Sequence, residues 1–248
     1  MAKDLYTSGA YLEKNPTWHV DESPWKVKEI MRMFQRQSIA PKTICEVGCG
    51  AGEVLRLLQM RLDSKCIFSG YEISPQAFEL SKSRENDRLH FKLQDFMEEK
   101  SVYFDLILVL DVLEHMENPY DLLRDIKFKS RYKIIHFPLD ISVKSVLRDQ
   151  IVTYREQFGH IHYFTKSIAL RMLEEMGYEV LDCFYTYATE TIPLPWNAIK
   201  SNPRILVRKI LGKIKRGLLR APIKLLYAIN QDLAERLFGE WRLLILAR

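Results

Sequence analysis

The chain has 248 residues, of which 47% are hydrophobic and 28% charged, a composition typical of a soluble globular protein that buries a sizeable core. No apolar run approaches the roughly 18 to 20 residues that a membrane-spanning helix needs. The first residues also lack the charged segment, apolar stretch and cleavage site of a secretory signal, so we expect a cytoplasmic protein. The four cysteines form no CxxC pair, which argues against structural zinc and disulfides.

The net charge of +5 is unevenly distributed along the chain. The stretch 200–231 carries nine Lys and Arg residues and neither Asp nor Glu, whereas the rest of the chain has a small acidic excess. We therefore predict a basic module, residues 193–238, inserted into a mildly acidic domain.

Helix and strand patterns alternate along the chain. The first helix is predicted at "ESPWKVKEIMRMFQRQ", with Ser23 as its N-cap, and Ser74 and Thr165 are predicted to cap two later helices. The predicted strands are "KTICEV", "CIFSGYE", "LHFKLQD", "FDLILVLD", "YKIIHFPL", "YEVLDCFYTY" and "EWRLLILAR", and the helices among them are "GEVLRLLQMRL", "SPQAFELSKS", "NPYDLLRDIKF" and "TKSIALRMLEEMG". This order predicts an α/β fold with a doubly wound, mostly parallel sheet. The last two strands are expected to form a hairpin at one edge.

Two parts of the chain are predicted from this order. Residues 1–40 form an aromatic-rich helical segment, and residues 41–248 form the main domain with the basic module before its last strand.

Three glycines, Gly48, Gly50 and Gly52, lie between the first predicted strand and the helix after it. In an open parallel sheet this turn borders the ligand crevice, and glycine lets the backbone approach a ligand closely. A dinucleotide motif would need glycine at Glu53, where a carboxylate would instead repel a pyrophosphate. The turn therefore indicates a ligand that carries a carboxylate or no strong negative charge.

This turn resembles the first motif of the class I S-adenosylmethionine-dependent methyltransferases, an acidic residue followed by Gly-x-Gly-x-Gly. The resemblance covers about residues 40–190 and the last strand, and it extends to the subgroup of ubiquinone-biosynthesis-type enzymes. It implies a Rossmann-like sheet of seven strands and S-adenosylmethionine as cofactor. The cofactor-binding residues that it implies are Glu46, Gly48, Cys49, Gly50, Gly52, Glu72, Ile73, Asp95, Phe96, Leu110 and Asp111.

Individual roles follow from the same resemblance. Glu72 would accept the ribose hydroxyls, Asp95 would bind the adenine amino group, and Phe96 would lie against the adenine ring. A solvated strand end is the alternative for Glu72. For Cys49 we expect a small residue that the turn tolerates and not a nucleophile.

Four of the six histidines lie where the fold would put the pocket: His115 after the fourth predicted strand, His136 in the fifth, and His160 and His162 before the next helix. Methyl transfer from a sulfonium is an in-line displacement, which needs a base only when the nucleophile holds a proton. By resemblance, His115 and His160 are the candidate catalytic residues. The alternative is that each histidine only hydrogen-bonds a backbone carbonyl.

Asp111, Glu114, His115 and His160 also resemble the Glu-x-x-Glu-His plus His arrangement of magnesium-dependent relatives that methylate RNA ends or catechol-like quinone precursors. Asp111 stands where those relatives have Glu, and its side chain is shorter. We assign no metal on this basis, and metal binding by the four residues is left open.

Aromatic residues are frequent in the N-terminal segment, which holds Tyr6, Tyr11, Trp18 and Trp25 together with His19. They either fold over the cofactor, where aromatic faces stabilise a sulfonium, or pack the first helix against the domain.

The basic module is amphipathic if it is helical, and Pro222 is expected to end or kink the helix. Its apolar side would hold Leu206, Val207, Ile210, Leu211, Ile214 and Leu218, and its basic side Arg208, Lys209, Lys213, Lys215, Arg216 and Arg220. Three interpretations remain open: a cap over the substrate pocket, a helix on an anionic membrane through residues 204–228, or a nucleic acid contact. We do not expect nucleic acid, because few aromatic residues are interleaved for base stacking.

The sequence thus predicts an S-adenosylmethionine-dependent methyltransferase that acts on a small-molecule or lipid-like acceptor. One alternative is an RNA-directed, magnesium-dependent enzyme. The other is a non-catalytic cofactor-binding protein recruited through its basic helix. The acceptor, the atom methylated and the oligomeric state are not predicted, because the resemblance is weakest in the N-terminal segment and the basic module.

Overall fold

The computed structural model describes residues 6–187, 221–239 and 241–248. Seven strands form one sheet in the order β3-β2-β1-β4-β5-β7-β6. β1 to β5 pair in parallel, and β7 runs antiparallel to both β5 and β6. The strands are β1 Thr43–Val47, β2 Ile67–Glu72, β3 Leu89–Leu93, β4 Phe104–Leu110, β5 Ser130–Pro138, β6 Val180–Thr186 and β7 Arg242–Ala247. The predicted Rossmann-like, mostly parallel sheet of seven strands is confirmed.

Helices cover both faces of this sheet. They are α1 Ala10–Lys14, α2 Ser23–Gln37, α3 Glu53–Gln59, α4 Pro75–Lys82, α5 Pro119–Lys127, α6 Val143–Leu147, α7 Gln150–Phe158, α8 Lys166–Glu175, α9 at 221–229 and α10 Gln231–Phe238. Short 3₁₀ segments lie at Val20–Glu22, Phe96–Glu98 and Leu113–His115. No helix in the described ranges is long and apolar enough to cross a membrane.

Alternate residues of each central strand contribute to two separate hydrophobic cores. In β4, Ile107 and Val109 belong to the core under α5 and α8, whereas Leu106 and Leu108 belong to the core under α2 and α3. This is the two-residue period of a strand buried on both faces. It explains why these strands appear in the sequence as continuous apolar runs.

The arrangement of the last two strands differs from the predicted edge hairpin. They do pair, but β7 lies between β5 and β6, so that β6 forms the edge. Five of the six residues of β7 are buried, whereas most of β6 is only half-buried. The more apolar strand therefore occupies the more covered position.

The capping predictions are confirmed at two helices and wrong at one. Ser74 accepts the N–H of Ala77 at the start of α4, and Thr165 accepts that of Ile168 at the start of α8. Ser23, expected to be an N-cap, is instead the first residue of α2, because the 3₁₀ turn before it runs directly into the helix and leaves Glu22 at the cap.

Only the end of the predicted basic module can be described. Helices α9 and α10 fall in it, and the helical range 221–229 includes Pro222, where a break or kink was expected. Nine Lys and Arg residues between 200 and 231 define the module. Lys224 is among the described residues, and the other eight lie outside them.

Candidate functional site

A cavity of about 760 Å³ opens at the carboxyl ends of the parallel strands, where the loops after β1, β2, β3, β4 and β5 meet. This is the expected position of a ligand crevice in an open α/β sheet. Most of the predicted site residues line it, namely Glu46, Gly48, Cys49, Gly50, Glu72, Ile73, Asp95, Leu110, Asp111, His115 and His160. Gly52 and Phe96 are not among the lining residues.

The three glycines of the first turn all have positive φ, at 70°, 53° and 75°. A Cβ atom on Gly50 would come within 2.7 Å of Trp18, and one on Gly48 within 2.7 Å of Val112. A Cβ on Gly52 would collide with the ring of Phe91 in the core. Gly52 is thus a correction to the predicted site, since its missing side chain makes room for Phe91 and not for a ligand.

Glu72 holds the glycine turn in place from the end of β2. One carboxylate oxygen accepts the N–H of Gly50 at 2.7 Å, and the other accepts those of Ile73 and Ser74 at 2.9 and 2.8 Å. Burial raises the pKa of Glu72 against these hydrogen bonds, which lower it. The side chain is buried, so the solvated strand end is excluded for it. Its contact with a ribose stays a prediction.

Glu46 lies at the end of β1, and its carboxyl is buried. Its Oε2 atom has no hydrogen-bond partner among the described residues, and burial raises the pKa of the carboxyl to about 8. A buried carboxyl of this kind is costly unless a donor or cation reaches it. Glu46 borders the cavity, so such a partner can enter from there.

Asp95 and Phe96, adjacent in sequence, have separate environments. Asp95 borders the cavity, and its side chain accepts the N–H of Met97 at 3.1 Å. Phe96 is 1% exposed and packs edge-on against Tyr71, with 4.9 Å between ring centroids. The position predicted for Phe96 against an adenine ring is therefore corrected, and Met97 lines the cavity instead.

Cys49 is buried in the turn, and burial raises the pKa of its thiol well above the usual value. A thiol that stays protonated is a poor nucleophile. This agrees with the expectation that Cys49 is a small residue tolerated in the turn.

Asp111 takes part in a buried polar chain. Its carboxylate contacts Lys26 Nζ at 2.7 Å and His136 Nδ1 at 2.7 Å, and His136 Nε2 contacts the Thr186 hydroxyl at 3.0 Å. Burial alone would raise the pKa of Asp111, but His136 and Lys26 outweigh burial and hold it well below normal. The chain joins α2 to β4, β5 and β6.

Glu114, His115 and His160 lie together, with one ligand-type atom from each within 4.8 Å of the others. His115 Nδ1 is 3.3 Å from the Gly159 carbonyl, and His160 Nδ1 is 2.6 Å from Asp140. Burial and the neighbouring His160 lower the pKa of His115 to about 3, so its ring is neutral. Asp111 is engaged elsewhere, and the four-residue arrangement suggested by the sequence is not assembled.

The N-terminal segment covers the cavity with aromatic rings. Tyr6, Tyr11, Trp18 and His19 line it, with ring centroids 4.7 Å apart for Tyr6 and Tyr11 and 5.0 Å for Tyr11 and Trp18. Trp25 is elsewhere, edge-on to His136. Tyr6, Tyr11 and Trp18 therefore fit the interpretation as a cover over the cavity. Trp25 fits the alternative, in which it packs the first helix against the domain.

No pattern in the sequence indicated several of the residues that line the cavity. Tyr154 and Phe158 lie on α7, and Trp241 and Arg242 lie at the start of β7. Helix α7 has no apolar stripe that would indicate a buried face. The residues of β7 reach the cavity only because this strand lies beside β5.

The sequence profile of a family described as "Methyltransferase domain" matches residues 19–182, about two thirds of the chain. A search of curated proteins found no match.

Solved structures of methyltransferases share the fold. The plantazolicin methyltransferase BpumL in complex with SAH is 14% identical, with 100% of this chain and 93% of that chain covered and a TM-score of 0.63. The N-methyltransferase NodS from Bradyrhizobium japonicum WM9 with S-adenosyl-L-homocysteine is 15% identical over 93% and 90%, at 0.55. The magnesium protoporphyrin IX methyltransferase (ChlM) from Synechocystis PCC 6803 with bound SAH is 16% identical over 66% and 76%, at 0.52. The chain belongs to the methyltransferase domain family and has the class I, Rossmann-like fold predicted for it.

Proposed function

We propose that the protein transfers the methyl group of S-adenosylmethionine to a small-molecule or lipid-like acceptor that binds under the aromatic cover. The observation that carries the proposal is the hydrogen bond from the Gly50 N–H to the Glu72 carboxylate. This bond fixes the shape of the glycine turn beside the cavity. Class I relatives of the same fold were solved with S-adenosylhomocysteine or S-adenosylmethionine bound.

The chemistry of the residues present fits this cofactor. Glu46, whose Oε2 has no hydrogen-bond partner among the described residues, suits the ammonium of the methionine end, and Asp95 suits the adenine amino group. When bound, S-adenosylmethionine supplies a methyl group on a positively charged sulfur. The faces of Tyr11 and Trp18 favour a cation in the cavity. They also exclude water from the reacting centre.

The acceptor end of the cavity lies among His115, Asp140, His160 and the residues of α7. His115 is neutral, so a ring nitrogen can accept a hydrogen bond from the methyl acceptor, although a pKa of about 3 makes the ring a weak base. His160 is oriented by Asp140, as a base or a binding group would be. Both histidines keep their predicted roles under this proposal.

The cavity also bears on the alternatives. The aromatic cover over its mouth favours a small acceptor over an RNA end, and the grouping of Glu114 with two histidines favours catalysis over a non-catalytic role. Membrane contact through 204–228 stays a prediction, because most of the basic module lies outside the described residues. A cytoplasmic location stays a prediction as well.

The test is a calorimetric titration of the purified protein with S-adenosylmethionine and S-adenosylhomocysteine. We expect micromolar binding that is lost in Gly50→Arg and in Glu72→Ala, and retained in Glu79→Ala, which removes an exposed carboxylate of α4. Thermal melting of each variant separates lost binding from lost folding. Absence of binding to the unaltered protein would contradict the proposed function.

A further inference from the structure

The carboxylate of Glu114 is buried at the acceptor end of the cavity. Its side chain is 1% exposed, and neither oxygen has a hydrogen-bond partner among the described residues. His115 Nε2 lies 3.7 Å from the Oε1 atom of Glu114, beyond hydrogen-bond distance. Burial and the nearby Asp111 carboxylate raise the pKa of Glu114 well above its usual value, so the carboxyl holds a proton while the cavity is empty. A basic group that enters the cavity can take this proton, and the resulting cation stabilises the carboxylate. A donor that enters the cavity would supply the missing contact.

The position of Glu114 is fixed by its own backbone. It lies in the 3₁₀ turn Leu113–His115, and its carbonyl accepts the N–H groups of Ile161 and His162 at 2.8 and 3.1 Å. These bonds join the loop after β4 to the segment before α8. The backbone from which the Glu114 side chain extends is therefore fixed at this end of the cavity.

Aromatic rings surround this end of the cavity. The ring of Tyr6 lies 5.4 Å from that of His115, and the rings of Phe158 and Tyr154 lie 5.7 and 6.2 Å from that of His160. The Tyr6 hydroxyl donates to the Phe158 carbonyl at 3.2 Å, which closes the group. Aromatic faces with a carboxylate among them form a site suited to an organic cation.

The two cationic residues that line the cavity, Lys26 and Arg242, are engaged to different degrees. Lys26 contacts Asp111 at 2.7 Å, and Arg242 Nη2 lies 3.5 Å from Glu22. Arg242 Nη1 has no hydrogen-bond partner among the described residues and stays open to an anionic group. The preference for a cation therefore comes from Glu114, whose two oxygens lack donors, and from the aromatic rings around it.

We propose that the methyl acceptor is an amine, which binds as an ammonium ion against Glu114 inside the aromatic group of Tyr6, Tyr154 and Phe158 and is methylated on nitrogen. This inference rests on the proposed function. One N–H bond of the ammonium breaks and its proton passes to the Glu114 carboxylate, leaving a lone pair on nitrogen. The nitrogen forms a bond to the methyl carbon while the carbon–sulfur bond breaks and its electron pair stays on sulfur. Glu114 then releases the proton to water as the methylated ammonium leaves.

The test compares three probes of equal length: hexylamine, hexan-1-ol and hexanoate. Each is titrated by nuclear magnetic resonance into the protein loaded with S-adenosylhomocysteine. We expect hexylamine to bind about tenfold more tightly than hexan-1-ol, the ratio that one charge-assisted hydrogen bond supplies. Hexanoate should bind most weakly.

Two variants locate the preference. Glu114→Gln should remove the preference for hexylamine over hexan-1-ol, because an amide keeps the shape but not the charge. Asp121→Asn, the same change at an exposed residue near the cavity mouth, should leave the preference intact.

Three results would overturn the inference: no measurable binding of hexylamine, no preference for it over the alcohol or the acid, or a preference that survives Glu114→Gln. A fourth result would also overturn it: Mg²⁺ binds the unaltered protein but not Glu114→Gln, and the bound Mg²⁺ displaces hexylamine. Failure of the unaltered protein to bind S-adenosylhomocysteine would instead remove the proposed function. The two failures are therefore distinguishable.

Discussion

The carboxylate of Glu72, at the end of β2, accepts the backbone N–H of Gly50, 22 residues earlier in the chain, at 2.7 Å. The bond links two adjacent parallel strands at their carboxyl ends. It lies within a set of three backbone donors that one buried carboxylate satisfies. The shape of the glycine turn thus depends on a side chain from another strand.

Glu72→Ala should destabilise the protein as well as weaken cofactor binding. Two buried N–H groups and one partly buried N–H group would lose their acceptor, and we expect a loss of roughly 2–4 kcal/mol in the free energy of unfolding. Glu72→Gln, which keeps an acceptor oxygen, should lose less. Urea unfolding measures both, with Glu79→Ala as the exposed control. Equal stability of Glu72→Ala and the control would contradict a structural role for Glu72.

Gly50→Ala and Gly52→Ala should have different consequences, although both glycines have positive φ. Each alanine has a backbone cost of about 1–2 kcal/mol. The added methyl at Gly50 meets Trp18 in the cavity cover, so S-adenosylhomocysteine should bind more weakly. The added methyl at Gly52 meets Phe91 in the core, so the melting temperature should fall further. Calorimetry and thermal melting on both variants check the contrast, which a larger loss of stability in Gly50→Ala would contradict.

Trp18→Leu should weaken binding of S-adenosylmethionine more than that of S-adenosylhomocysteine. Only the former carries a positive charge on sulfur, and an aromatic face favours it by roughly threefold to tenfold. Trp25→Leu is the matched control, because Trp25 contacts His136 and Arg242 and does not line the cavity. Calorimetric titration of both ligands gives the ratio. An unchanged ratio in Trp18→Leu would mean that Trp18 only covers the cavity.

The cofactor-free protein should lose stability as the pH rises from 5 to 8, because the carboxyl of Glu46 is buried. Burial raises its pKa from 4.5 to about 8, so in this range the folded protein holds a proton that the unfolded chain has released. Stability therefore falls with increasing pH over this window. Glu46→Gln removes the effect, and its stability relative to the unaltered protein should increase between pH 5 and pH 8. Urea unfolding at the two pH values measures this difference, and a constant difference would contradict the shifted pKa.

Local patterns in the sequence were sufficient to predict the five parallel strands. Most are apolar over most of their length, and β1, β3 and β4 end where a glycine or polar residue begins the loop toward the cavity. Ser74 and Thr165 marked helix starts because a side-chain cap depends on only three or four neighbouring residues. Most of the cavity residues at the carboxyl ends of the strands followed from the same logic.

Contacts between distant segments could not be predicted in this way. Asp111 was expected at the cofactor, but its partner Lys26 lies on α2, and no local pattern indicates that pairing. Phe96 follows Asp95 directly, yet the 3₁₀ turn directs it into the core. Arg242 reaches the cavity because the last strand lies between β5 and β6, which depends on the whole sheet.

Asp111→Asn should destabilise the protein strongly. Lys26 would remain buried without its counter-charge, and removing one member of a buried pair typically costs about 3–5 kcal/mol. Burial alone would lower the pKa of Lys26, but Asp111 and Glu22 together raise it, so the ammonium depends on this partner. The matched control is Glu79→Gln, which breaks an exposed pair with Lys82 and should cost less than about 1 kcal/mol.

The double variant Lys26→Met with Asp111→Asn tests the cause. If the loss in Asp111→Asn comes from the unpaired ammonium, removing that ammonium should recover part of the stability, as measured by urea unfolding. Recovery would mean that Asp111 mainly anchors α2 against β4 and β5, and that the cavity keeps its shape through this anchor. A double variant no more stable than Asp111→Asn would shift the explanation to the contact between Asp111 and His136.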